Sequence, residues 1–168
     1  MLGNCEHELR ITGKSIDIKR ILDYIVDGEF DFDKIIPEPK TKEECLKCGA
    51  WKDEYIIDTK SNLKEDWFKS IKWRRWFWHS EWKGIVTKLQ RFSENEVLLC
   101  YNTYTGFDVF TVQPIIVKLQ ELYPNIDIKY GLKYYAEDDE YIQFINYTTK
   151  DGWSEYREDN PDWEGIQF

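Results

Sequence analysis

The chain predicts an α+β fold: a mainly antiparallel sheet with helices packed on one face. Three observations carry this. Several segments have the two-residue apolar period of half-buried strands, and two have the helical period of amphipathic helices. Their order is β–α, an insertion ending in a strand, then β–α–β–β, which is not the strict alternation of a parallel α/β sheet.

The elements follow in turn. Glu6–Thr12 sets His7, Leu9 and Ile11 against Glu6, Glu8 and Arg10, and Gly13 ends this first strand. Ser15 offers an N-cap to a helix with its stripe at Ile18, Ile21, Leu22, Ile25 and Val26, and Gly28 stops it. Glu29–Pro39 alternates Phe30 and Phe32, then breaks into a proline-punctuated loop that opens an insertion over 29–75. Within it, Thr41–Gly49 suits a short helical turn and Trp51–Asp58 an extended piece. A helix around 63–72 is capped by Ser61 or Asn62. Trp76, Trp78, Ser80 and Trp82 then alternate, which predicts a strand near Phe77 that stops at Gly84. Ile85–Phe92 fits a short helix or an extended piece equally. Glu96–Tyr104 is β-branched and aromatic and reads as a strand. Val112–Tyr123 is a helix with Pro114 in its first turn and a stripe at Ile115, Ile116, Leu119 and Leu122. Ile126–Ala136 and Tyr141–Tyr147 form a hairpin tipped by four carboxylates. Two β–α units feeding such a sheet define a ferredoxin-like sandwich. The expected organisation is a single domain over 1–168, with a core at about 5–28 and 76–147, the insertion at 29–75 and an acidic tail at 148–168.

Composition sets the class. The 168 residues are 42% hydrophobic, 17% aromatic and 33% charged, as expected of a soluble globular domain able to bury a sizeable core. No apolar run approaches the ~20 residues of a membrane helix, and Met1–Arg10 lacks the pattern of a secretory leader, so a cytoplasmic location is expected. Four cysteines, Cys5, Cys45, Cys48 and Cys100, are few for a secreted disulfide scaffold and are expected as thiols. The charge is lopsided. Residues 137–168 hold ten carboxylates against Lys150 and Arg157, a net −8 of the chain's −9. Such a surface repels phosphates, which disfavours long nucleic acid as a direct ligand and suits a basic protein. Trp153, Tyr156, Trp163 and Phe168 interleave with these charges. They mark either a docking surface or a solvated terminal strand whose aromatics lie back on the core.

Ordered motifs add a family resemblance. The opening NCEHELRITG, the segment with Phe30, Phe32, Ile35, Ile36, Pro37 and Pro39, the pair Trp78 and Trp82 in WHSEWKG, and the ending LQELYPNIDIKYGLKYYAEDDEYIQF cover most of 4–144. Together they resemble the YubB/Api92-like proteins of phages and plasmids. The resemblance implies a ferredoxin-like domain of mobile-element origin and no catalytic set.

Three constellations are candidate sites. Trp67, Trp73, Trp76, Trp78 and Trp82 fall within sixteen residues of one another beside Lys72, Arg74 and Arg75. Trp73, Arg74, Arg75, Trp76 and Trp78 could stack and clamp a nucleotide, or simply pack a sheet face. Cys5, His7, Cys45 and Cys48 could supply Cys₃His zinc ligands, although only one CxxC is present and ordinary thiols are the plainer reading. With only His7 and His79, and no nucleophile-elbow or Walker motif, enzyme chemistry is not expected, nor is any cofactor. The third constellation is the acidic set Glu137, Asp138, Asp139, Glu140, Glu158, Asp159, Asp162 and Trp163, expected to bind a partner. The functional expectation is a non-enzymatic phage- or plasmid-type anti-defence inhibitor. Acting as a DNA mimic, its acidic surface would compete for the basic nucleic-acid groove of a host defence protein. A nucleotide-signal sponge and a structural or assembly protein are the alternatives.

Overall fold

A computed structural model of the chain describes residues 3–47, 71–105, 112–136 and 141–159. Its centre is a seven-stranded sheet in the spatial order β2-β3-β4-β1-β5-β6-β7, in which every neighbouring pair is antiparallel. The strands are β1 (Gly3–Thr12), β2 (Glu29–Phe30), β3 (Gly84–Ser93), β4 (Glu96–Thr105), β5 (Asp127–Ala136), β6 (Tyr141–Thr148) and β7 (Gly152–Asp159). Among the described residues four α-helical segments accompany them, α1 (Ser15–Ile25), α2 (Lys42–Lys47), α3 (71–77) and α4 (Gln113–Leu122), with a short 3-10 turn at Phe32–Lys34. The α+β class is as the pattern predicts.

Alternation decides the layers. On β1, Cys5, His7, Leu9 and Ile11 are buried while Glu8 and Arg10 are exposed. The register places Leu9 between Leu99 and Tyr130, and His7 between Tyr101 and Leu132. The stripes of α1 (Ile18, Ile21, Leu22, Ile25) and α4 (Ile115, Ile116, Leu119) join these strand residues in one core. The cap of α1 differs by one residue from expectation. Lys14 is the N-cap, with no side-chain bond, and Ser15 is already helical. Gly28, at φ 71°, provides the left-handed turn after the helix.

Three sequence expectations are corrected. The alternation of Trp76, Trp78, Ser80 and Trp82 is not a strand. The chain is helical to residue 77, because Trp73 and Phe77, one turn apart, stack at 4.8 Å, and it then turns at His79 with φ 52°. The insertion and the tail are not appendages either. Glu29 and Phe30 of the insertion pair with Ile85 and Gly84, and Gly152–Asp159 of the tail pairs along the whole of β6. The reason lies in aromatic packing. Phe30 and Phe32 meet Tyr101 edge to face, Phe32 meets Trp78, and Trp153 of β7 packs on Tyr130 and Tyr147. The undecided segment Ile85–Phe92 is strand β3. Most of the expected helix at 63–72 and the extended piece at 51–58 lie outside the described residues, although 71–72 is helical.

Candidate functional site

The acidic site is assembled by strand register. Ala136 and Tyr141, which flank the carboxylate run 137–140, are paired with each other, and Tyr141 is paired in turn with Asp159. Two acidic runs far apart in sequence therefore leave from one corner of the sheet. Glu158 is exposed there, across from Ile142. Glu137, Asp138, Asp139, Glu140, Asp162 and Trp163 lie outside the described residues. Glu155 and Tyr156 belong to the same edge; Tyr156 is one of the aromatics the sequence interleaves with the charges, whereas Glu155 was missed by sequence reasoning. Both are exposed, Tyr156 to 57%, and Tyr156 stacks on Phe144 at 4.5 Å. The signal for them was the alternation of Trp153, Glu155 and Arg157 against Ser154, Tyr156 and Glu158, which fits a strand better than a coil.

The Trp- and Arg-rich segment does not form the expected stacking clamp. Trp73 and Trp78 are fully buried, the latter donating its indole N–H to the Ile36 carbonyl at 2.8 Å. Arg74 places Nε and Nη2 on Glu38 Oε2 at 3.0 and 2.8 Å and lies over the Trp78 ring. Arg75 holds Glu81 through Nε at 2.7 Å and through Nη2. Of the five residues only Trp76 is exposed, at 55%. Arg74 neutralises Glu38 within the insertion and Arg75, at its end, neutralises Glu81 just beyond it, and this occupies the groups a phosphate would need. A cleft of about 550 Å³ lies beside them, lined by Glu29, Arg74, Trp82, Lys83 and Ile85, and Lys83 is itself bridged to Asp31 at 2.9 Å.

His7 is corrected as a zinc ligand. Its side chain shares the inner face with Cys5, as the spacing predicts, but Nδ1 lies 2.9 Å from the Tyr130 hydroxyl and Nε2 2.7 Å from Thr103 Oγ1. Both nitrogens are engaged, one donating and the other accepting, and the ring stacks on Tyr101 at 4.5 Å. Burial pushes its pKa down to about 3, so the imidazole is neutral. Cys45 is buried in the same core, and Cys48 lies outside the described residues.

The opposite face of the sheet holds a shallow cleft of about 510 Å³ around Gly131, which sequence reasoning also missed. Glu6 and Glu8 of β1 line it together with Lys133 on the neighbouring β5 and Lys88 on β3, beyond β4. Its thiol, Cys100, is held above the usual range by burial and by Glu8, with Lys88 opposing. It is therefore protonated and a poor nucleophile at neutral pH.

Compared with known protein families, with curated proteins and with solved structures, the chain matches none.

Proposed function

We propose that this chain is a non-enzymatic inhibitor that binds a basic groove of a host defence protein through its acidic corner. The observation that supports this reading is the pairing of Ala136, Tyr141 and Asp159, which gathers two acidic runs at one end of the sheet. Carboxylates concentrated in one region raise the association rate with a cationic surface and compete with phosphates for it. Exposed Tyr156 adds an aromatic contact of the kind that anchors protein interfaces. In this reading the four strands β3-β4-β1-β5 with α1 and α4 are a ferredoxin-like core, in keeping with the YubB/Api92-like resemblance, and the protein acts in the cytoplasm of the host cell.

The test is affinity capture from bacterial lysate carrying defence systems. The intact chain is compared with one in which Glu137, Asp138, Asp139 and Glu140 are all replaced by lysine. A defence nuclease or nucleic-acid-binding complex captured by the first and lost by the second is expected. Its association rate should fall about tenfold or more as salt is raised from low to physiological levels. Equal capture by both chains would overturn the reading.

A further inference from the structure

The two long edges of the sheet are unlike. On one side β2 covers only Gly84 and Ile85, so among the described residues the outer side of β3 has no strand beside it from Thr87 to Ser93. On the other side, among the described residues, β7 has no outer neighbour over Gly152–Asp159. Such rows of backbone donors and acceptors are templates for another strand. The β3 edge is basic, with exposed Lys88 and Arg91, and carries exposed Leu89 and Phe92. The β7 edge is net acidic, with exposed Glu155 and Glu158 on either side of a single exposed Arg157, and carries Tyr156. None of Lys88, Arg91, Glu155 and Glu158 takes part in a salt bridge among the described residues.

We propose that copies of this chain associate head to tail, with β7 of one docking antiparallel on β3 of the next. Strand direction permits it. Because every neighbouring pair is antiparallel, the six strands from β3 to β7 alternate, and β3 and β7 run oppositely. A second copy placed beside the first with the same face up continues the alternation.

Charge then selects the register. Setting Lys88 opposite Glu158 also sets Arg91 opposite Glu155, and the faces agree. Lys88 and Glu158 lie on the open face, beside Cys100 and Ile142, while Arg91 and Glu155 lie on the helix face, beside Val97 and Ile145. In that register Gly152–Asp159 spans residues 94 to 87, and the segment covered by β2 falls beyond the end of β7, so β2 is no obstacle. Opposite charges across a strand pair stabilise it, and this register gives both Lys88 and Arg91 a carboxylate partner at once. The interface is therefore heterologous and extends as a ribbon unless the twist closes it.

Lys88 and Arg91 lie on the edge away from the acidic corner, so reversing them tests the assembly apart from the inhibitor reading. The experiment is sedimentation equilibrium of the full chain and of two variants, K88E/R91E and E155K/E158K, from micromolar to millimolar concentration. The intact chain should associate at low salt and at least tenfold more weakly at high salt. Each variant alone should be monomeric, and an equimolar mixture should associate again, because each then offers the other an edge of opposite charge. The mixture also proves that both variants fold. A monomeric intact chain at low salt, association that salt does not weaken, undiminished association of either variant, or no recovery on mixing would each overturn the proposal.

Discussion

At the scale of single residues, the buried polar groups of the inner face are the most informative. Tyr101 and Tyr130 are both buried hydroxyls, yet only Tyr130 has a described partner, the His7 ring at 2.9 Å; the Tyr101 hydroxyl has none. Removing an unpaired buried polar atom is nearly neutral or favourable, while orphaning a partner costs about 1–3 kcal/mol. Tyr101→Phe is therefore expected to hold or raise stability by up to ~1 kcal/mol, and Tyr130→Phe to lower it by about 1–3 kcal/mol, as read by urea unfolding. His7 gives a pH signature with a definite sign. Its pKa is about 3 when folded and near 6.5 when not, so the unfolded chain binds the extra proton between those values. Stability is level above about pH 6.5 and falls with acidification to about pH 3, by up to ~1.4 kcal/mol per pH unit from this group. His7→Gln should remove one proton's worth of that slope; an unchanged slope between pH 4 and 6 would show that His7 is not its source. The alternation His7, Leu9, Ile11 reveals in the sequence that His7 faces the core. Its partners Thr103 and Tyr130 lie 96 and 123 residues away, and no local pattern names them.

At the scale of elements, legibility follows burial. β1 and β5, half-buried in the middle of the sheet, show their period plainly. β3 does not, because as an edge strand it exposes residues on both faces, and register shifts after Val86 and Arg91 move its phase. α3 was misread because Trp73 and Trp78 pack on the core from a helix and from the turn beyond it, so tryptophans two apart imitate a strand. β7 was legible only as one of two readings of the tail, a terminal strand with its aromatics on the core, and Trp153 fixes it there against Tyr130 and Tyr147 at ring distances of 5.8 and 4.8 Å. Removing everything after Thr149 would thus take away a strand of the sheet as well as carboxylates. Trp153→Ala is expected to cost roughly 2–3 kcal/mol, below the full range for a buried Trp because the ring is only half-buried. Thermal unfolding checks this; a loss within about 0.5 kcal/mol would mean that β7 is held by its backbone pairing alone. The acidic corner was legible as composition but not as a place, since the pairing of Tyr141 with Asp159 is a property of the sheet.

At the scale of the whole molecule, the order of the sheet does not follow the order of the chain. β1, the first strand made, is the middle of the seven, and its neighbours are β4 and β5, with Arg10 set between Leu98 and Lys129. Contacts so distant in sequence slow folding, because a long loop must close before they form. The net charge of −9, concentrated in the last 32 residues, adds repulsion at one end of the sheet, while the core is shared by α1, α4 and the central strands. The same topology has a consequence on the ribosome. At about 5–20 residues per second, roughly 6–25 s separate the synthesis of β1 from that of the end of β5. Until β4 has been made the future centre of the sheet has no partner on either side, and until β5 has been made it has none on one, so the nascent chain depends on co-translational protection or on speed. A message cut short before codon 136 yields a polypeptide without the strand that completes its core.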